Sequence, residues 1–175
     1  MSDYLVISCS LNPKSNSRLL CKAVFESLSA KHSAEFIDLR VLQLPVCDGG
    51  SAYGHPAVAP LSEKIKNARC VLLGIPIYNY AASASAKNLI ELTGRAWIDK
   101  VVGFVCAAGG RMSYMSVMGI ANSLMLDFRC LIIPRFVYAH RESFDDAGKY
   151  DSEIHQRIEE LAETAARLTA GIVKA

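Results

Sequence analysis

Four serines and two asparagines fall within ten positions, Ser8-Cys9-Ser10-Leu11-Asn12-Pro13-Lys14-Ser15-Asn16-Ser17. Short hydroxyl and amide side chains can bend inward and donate hydrogen bonds. A helix beginning after such a loop adds unsatisfied N–H groups and positive potential. Together these make a socket for a phosphate. Capping a helix accounts for one serine here, but not for six such side chains. The G-x-x-x-x-G-K-[ST] pattern is absent, which disfavours nucleoside triphosphate hydrolysis. So is G-x-G-x-x-G, which argues against a dinucleotide site of the Rossmann kind.

Two further segments carry candidate chemistry. Pro76-Ile77-Tyr78-Asn79-Tyr80 offers two aromatic faces and an amide, followed by the small residues Ala81–Ala86. A planar heterocycle would use both features, stacking on a ring and meeting an amide at its edge. The alternative is an ordinary loop with one tyrosine in the core and one on the surface. The third segment, Ala107-Ala108-Gly109-Gly110-Arg111-Met112-Ser113-Tyr114, exposes backbone N–H groups at two adjacent glycines. Arg111 either lies near an anionic ligand or folds back as a surface charge.

These loops need elements to hold them. Short, continuous apolar runs at Tyr4–Ile7, Phe36–Leu39, Cys70–Ile75, Val101–Ala107 and Cys130–Ile133 have the pattern of strands buried on both faces. Helix-period segments separate them at Ser17–Leu28, Val58–Ala68, Ser85–Leu92 and Ser113–Leu126. A last one places Ile154, Ile158, Leu161, Ala165, Leu168 and Ile172 on one face, with Asp151 or Ser152 as its N-cap. Strands separated by helices pair in parallel through right-handed crossovers. The expectation is a single-domain α/β chain over residues 1–175, three-layered and doubly wound, with its ligand beyond the carboxyl ends of the strands.

Composition narrows the function. The chain has 175 residues and a net charge of +2, so no polybasic nucleic-acid footprint is expected. With 51% hydrophobic and 21% charged residues it can bury a substantial core. No apolar run approaches the roughly 18 residues needed to cross a bilayer. The opening MSDYLVISCS lacks a basic, then apolar, secretory pattern. The six cysteines, Cys9, Cys21, Cys47, Cys70, Cys106 and Cys130, form no C-x-x-C pair and no cluster with histidine. Even parity would permit three disulfides, but four lie in or beside apolar runs, so a reduced, cytoplasmic protein without a metal site is the expectation.

Taken together, the Ser10-x-Asn12-x-x-Ser15-Asn16-Ser17 loop, the Pro76-x-Tyr78-Asn79 turn with Lys87-Asn88-Leu89-Ile90-Glu91, and Gly109-Gly110 resemble the NADPH-dependent FMN reductase family, a branch of the flavodoxin-like proteins. Phe144–Glu153 is similar to the family's acidic turn before its last helix. The resemblance spans about Asp3 to Leu168. It implies a three-layer α/β/α flavodoxin-like fold with a five-stranded parallel sheet in the order 2-1-3-4-5, and non-covalent FMN. By that analogy Ser10, Asn12, Ser15, Asn16 and Ser17 hold the phosphate, Pro76, Ile77, Tyr78 and Asn79 border the flavin ring, and Gly109, Gly110 and Ser113 approach its other edge. It also implies hydride transfer from NADPH or NADH through FMN to a small-molecule acceptor (free flavin, quinone, azo dye or metal oxyanion) in a homodimer or homotetramer. Chemistry would reside on FMN, with no side chain as acid or base. Position 12 is Asn where many relatives carry Arg, so Lys14 or Arg18 is expected to compensate.

A flavin-binding electron carrier or redox sensor is the alternative class, although dedicated carriers of this fold tend to be acidic. An interaction domain that has lost flavin is a third, opposed by the intact first loop. The histidines His32, His55, His140 and His155 have no metal-ligand spacing. Met112, Met115, Met118 and Met125 recur at near-helical spacing, which points to core or subunit packing. Asp145–Glu153 lacks calcium-loop spacing and is expected to be a solvated turn. Arg135-Phe136-Val137-Tyr138 is a candidate interface element.

Overall fold

A computed structural model describes residues 2–172; the single-domain expectation reaches residues outside that range. In chain order the elements are β1 (Tyr4–Ser8), α1 (Asn16–Ser29), β2 (Ala34–Asp38), α2 (Leu39–Leu42), α3 (Val58–Asn67), β3 (Cys70–Tyr78), β4 (Ala81–Ala82), α4 (Ala84–Thr93), β5 (Val101–Ala107), α5 (Met118–Phe128), β6 (Leu131–Ile132), β7 (Val137–Ala139) and α6 (Ser152–Gly171). The sheet runs β2-β1-β3-β5-β6, and every neighbouring pair on that path is parallel. Counting parallel strands, this is the flavodoxin-like order 2-1-3-4-5.

Alternation along the strands builds two cores. On one face Leu5, Ile7, Val71 and Leu73 pack with Leu61 and Ile65 of α3, Leu89 and Ile90 of α4, and Ile120 and Leu124 of α5. On the other, Val6 and Leu72 pack with Leu20, Val24 and Leu28 of α1 and Ile154, Ile158 and Leu161 of α6. Each strand is therefore apolar on both sides, which is why its sequence reads as a continuous run.

The structure departs from the sequence expectation in four places. Leu39 does not end the second strand; Asp38 caps a short helix that Leu39 begins, its carboxylate accepting from the Arg40 N–H at 3.0 Å. The fifth strand is split, with β6 and β7 both pairing with β5. Pro134, which has no N–H, and Arg135, whose φ is +56°, lie in the break. Val137 and Tyr138, part of the candidate interface element, thus belong to the sheet. Ser113 does not open an α-helix either, but lies inside a 3-10 run over Arg111–Val117 that precedes α5. Finally, β4 adds an antiparallel strand to β3.

Asp151 is the cap of α6, accepting from the Ile154 N–H at 2.8 Å. The Asp145–Glu153 stretch is a turn closed by Asp145, whose carboxylate accepts from Lys149 N–H at 2.8 Å while Phe144 and Tyr150 form an antiparallel bridge.

Candidate functional site

The first, second and third loops follow β1, β3 and β5, which are adjacent in the sheet, so all three emerge at one carboxyl edge. β2 lies on one side of β1 and β3 on the other, so connections leave β1 in opposite directions. This is the switch point where open α/β sheets leave a crevice.

Within the first loop four polar side chains divide the work of shaping it. The Ser10 oxygen accepts from Asn12 N–H at 3.3 Å and the Asn12 Oδ1 from Lys14 N–H at 2.9 Å, so these two shape the bend. Ser15 caps α1, its hydroxyl accepting from Arg18 N–H at 3.1 Å and bonding to the Ser17 hydroxyl at 3.0 Å. The N–H groups of the first helical residues, Asn16 and Ser17, have no partner within a helix. No acidic residue occupies the first turn of α1. Hydroxyl and amide donors, helix N–H groups and an absence of carboxylates fit a phosphate monoester.

Arg18 does not supply the missing cation. It is 8% exposed and turned beneath the loop. Its Nε lies 2.9 Å from Asp38, its Nη1 donates to Pro13 O at 3.1 Å and its Nη2 to Ser10 O at 3.1 Å. One guanidinium thereby pins both ends of the Ser10–Pro13 bend to the carboxyl end of β2. The side chain is spent on shape because its two terminal nitrogens are bonded to loop carbonyls and its Nε is ion-paired with Asp38, where the chain buries them.

The second loop is a hairpin. Ile77 pairs with Ala82 and Tyr78 with Ala81, and the two turn residues Asn79 and Tyr80 have φ of +49° and +62°. Positive φ at both central positions is the type I′ pattern. Asn tolerates it, whereas Tyr80 is strained there. The turn carries Tyr78 and Tyr80 outward, 55% and 59% exposed, so neither ring is a core residue. Pro76 and Ile77 stay in β3 below them.

At the third loop Gly109 and Gly110 are exposed, and the Tyr138 hydroxyl donates to Gly110 O at 2.6 Å. Burial first of all raises the Tyr138 pKa, and Ser113 lies within hydrogen-bonding reach of it. Arg111 folds back, pairing with Glu142 at 2.7 Å. The hairpin packs against the 3-10 run that follows, which brings the second and third loops together.

Several positioning residues escape a reading by motif. Ser85 Oγ donates to Cys9 O at 2.5 Å and bonds to Ser83 Oγ at 3.0 Å, tying the start of α4 to the first loop. Asn88 accepts from Cys47 N–H at 2.7 Å and donates to Pro45 O at 2.8 Å, clamping the segment after α2 onto α4. Its place in the Lys87–Glu91 motif hints at a role; its partner, more than forty residues upstream, is visible only in the fold.

The same segment holds Asp48, whose carboxylate accepts from Ser51 Oγ at 2.7 Å, Gly50 N–H at 2.8 Å and Ala52 N–H at 3.0 Å. The bond from Ser51 and then those from Ala52 and Gly50 lower its pKa from 3.8 to about 2. A folded value below the unfolded one makes the turn's contribution complete above about pH 4 and progressively lost as pH falls through 2. Protection from amide exchange at Gly50 and Ala52, taken against the intrinsic rate at each pH, is therefore expected to fall over that window, and in Asp48→Asn to stay at one low level throughout. A wild-type rate that follows only the intrinsic acid dependence of exchange would remove the assignment.

The cysteines are free thiols, and five of the six are buried. Burial pushes Cys21 and Cys70 up to about 12 and Cys130 to about 11, with Cys9 and Cys106 raised as well. Such thiols stay protonated at neutral pH and are poor nucleophiles and ligands. Among the described residues no group of three His, Cys, Asp or Glu is arranged to hold a metal ion.

Comparison with known proteins adds lineage to this geometry. The chain is 30% identical over 132 residues to an NAD(P)H-dependent FAD/FMN reductase of Geobacillus thermodenitrificans, covering 73% of this chain and 71% of that one. It is 29% identical over 126 residues to a probable NADPH:quinone oxidoreductase 1 of Oryza sativa subsp. japonica, covering 67% of this chain and 62% of the relative. The fold superposes on FerB, a flavoenzyme NAD(P)H:(acceptor) oxidoreductase from Paracoccus denitrificans, with a TM-score of 0.79 at 19% identity over 98% of both chains. The model of the NADPH-dependent FMN reductase family matches residues 3–144, which take in all three loops and the strands that carry them, and the chain belongs to that family.

Proposed function

We propose that residues 1–175 form one FMN-binding domain that takes reducing equivalents from NAD(P)H and delivers them to a small organic acceptor such as free flavin or a quinone. The observation that carries the reading is the meeting, at one switch point, of a carboxylate-free helix start lined by Ser15 and Ser17 with a hairpin displaying Tyr78 and Tyr80. One end suits a phosphate and the other a planar ring.

When bound, FMN supplies the centre that accepts a hydride and returns electrons to the acceptor. The chain binds and orients. Ser10 and Asn12 fix the bend, while Ser15, Asn16 and Ser17 present donors to the phosphate. Pro76, Ile77, Tyr78 and Asn79 border the ring. Backbone N–H groups at Gly109 and Gly110, with Ser113 behind them, are placed to meet charge at its far edge. Tyr138 fixes the Gly110 peptide by holding its carbonyl. No side chain is assigned acid–base work. The acceptor classes follow the names of the flavin- and quinone-reducing relatives.

Ser15→Asp tests the phosphate end cleanly, because Asp caps a helix as well as Ser does. Folding should be retained while FMN affinity falls roughly ten- to hundredfold through charge repulsion. Ser17→Asp should act alike. Flavin fluorescence quenching would read both, and undiminished affinity in the two variants would remove the assignment. Purified protein supplied with FMN should be yellow and should oxidise NADH or NADPH when a quinone is added.

A homodimer or homotetramer suits the exposed apolar side chains Met112, Met115 and Leu126 on and before α5, which contact with a second copy would cover. Six free thiols suit the reducing cytoplasm. Among the described residues no helix is long and apolar enough to cross a membrane.

A further inference from the structure

A cavity of about 400 Å³ opens directly behind the third loop, between it, the end of β7 and the start of α6. Its position relative to the flavin crevice is set by two residues. Arg111 follows Gly110 in sequence and lines the cavity, and Tyr138, whose hydroxyl holds Gly110 O, forms part of its wall. A nicotinamide laid over a ring between the second and third loops must send the rest of its dinucleotide past one of those loops. This cavity is the concave surface waiting behind the third.

Its walls suit an adenosine. Tyr114 is 42% exposed and stacks on Phe136 with ring centroids 4.5 Å apart at 18°, while Tyr138 meets it edge-on at 5.4 Å. A ring fixed on one side by a stack presents its free face to a second planar group. The polar groups then discriminate between the two pyridine nucleotides. Two arginines, Arg111 and Arg157, line the cavity against three carboxylates, Glu142, Asp151 and Glu153. Arg111 is engaged with Glu142 at 2.7 Å and Arg157 lies 3.8 Å from Glu153. His140 also lines the cavity, and even counted as a cation it brings the wall only to neutrality. A 2′-phosphate carries close to two negative charges and would find each arginine answered by a carboxylate. A ribose diol finds in a carboxylate the acceptor it needs.

We infer that this cavity binds the adenosine half of the pyridine nucleotide, and that Glu142, by accepting from the ribose and occupying Arg111, makes NADH the preferred donor over NADPH. The inference rests on the NAD(P)H-oxidising function proposed above and adds to it the location and chemistry of donor selection. Glu142 is a specificity-determining residue in this scheme, and Tyr114 is the stacking platform.

The test compares wild type, Glu142→Gln and Tyr114→Leu, each loaded with FMN, at low ionic strength with a saturating quinone. Wild type should use NADH with the higher kcat/KM. Glu142→Gln frees Arg111 and should shift the NADH-to-NADPH ratio of kcat/KM about fivefold toward NADPH, the scale of an exposed charge pair, through KM rather than kcat. Tyr114→Leu should raise KM for both donors. Reduced nicotinamide mononucleotide, which lacks the adenosine half, should be used equally by all three proteins. In calorimetric titration ADP-ribose should bind wild type more tightly than its 2′-phosphate, and bind Tyr114→Leu more weakly. If all three proteins oxidise the mononucleotide, but both variants keep wild-type KM values, donor ratio and ADP-ribose affinity, the cavity assignment is overturned and the oxidoreductase reading stands. A wild-type preference for NADPH overturns the charge argument. Flavin-loaded wild type that oxidises none of the three donors overturns the function itself, and this assignment with it.

Discussion

Replacing Arg18 by Met is expected to lower the unfolding free energy of the flavin-free protein by about 3 kcal/mol, the lower end for removing one partner of a buried ion pair. The lower end applies because Asp38 keeps the Arg40 N–H at 3.0 Å and the Arg40 side chain at 3.7 Å after its main partner has gone. For a domain of this size that corresponds to a fall in Tm of roughly 6–12 °C. The loss is not merely electrostatic. The same guanidinium satisfies the carbonyls of Pro13 and Ser10, so its removal leaves one part-buried and one buried acceptor unpaired and the bend between them unpinned. FMN affinity should therefore fall together with stability. Adding Asp38→Asn to Arg18→Met removes the stranded carboxylate and should recover part of the stability, but none of the affinity, because the two loop carbonyls are still unmet. Denaturant unfolding and fluorescence titration read the two quantities separately. An unchanged unfolding midpoint in Arg18→Met would show that the buried pair contributes nothing.

Gly74→Ala is expected to act on the same loop from the opposite side. A methyl group at position 74 would meet Cys21 Sγ at 2.8 Å, Cys21 Cβ at 2.9 Å and Ser17 O at 3.2 Å. Neither a Cβ nor a helical carbonyl can swing aside, so α1 itself must retreat from β3. Such overpacking costs about 1–3 kcal/mol. The retreating segment is the first two turns of α1, which carry Ser17 and follow directly on the cap Ser15. Hydrogen bonds to a charged group are each worth about 1.5–3 kcal/mol, so misaligning one should weaken FMN binding about tenfold or more. Gly103→Ala is the control. Its methyl would press on Leu72 Cδ2 at 2.6 Å and on the terminal methyls of Ile133 and Leu161 at 3.1 and 3.2 Å, all in the core and away from the loop. It should cost stability with flavin affinity retained. Equal loss of affinity in both variants would show that Gly74 has no special tie to the phosphate loop.

Both variants mark the boundary of what a single sequence can reveal. Ser15 and Asp151 are readable as caps because capping is local: the side chain and the N–H that it meets lie three residues apart. The strands are readable because burial on both faces imposes unbroken apolar runs. The parallel winding follows from the helices between them. The break at Pro134 and Arg135 is harder, since a two-residue and a three-residue fragment read much like one strand followed by an apolar tail.

Arg18 shows where local reading stops. As the cation next to a phosphate-like loop it is the natural counter-charge, yet Asp38, twenty residues away, draws it underneath. Arg111 behaves in the same way, its direction decided by Glu142. The hairpin at Asn79 and Tyr80 needs two residues at positive φ, and although Asn79 suits that conformation, Tyr80 gives no sign of it. Asn88 and Ser85 act on Pro45, Cys47 and Cys9, partners that chain order does not suggest.

The amino-acid order alone determined the alternation of strands and helices, the layered parallel architecture that follows from it and the three candidate loops at strand ends, because periodicity and capping are set by near neighbours. The folded chain decided which way each long charged side chain turns and which glycine touches a helix. It also decided which aromatic rings face a cavity. These depend on partners brought close by the winding of the sheet, and a flexible side chain takes the direction in which its donors and charge are best met.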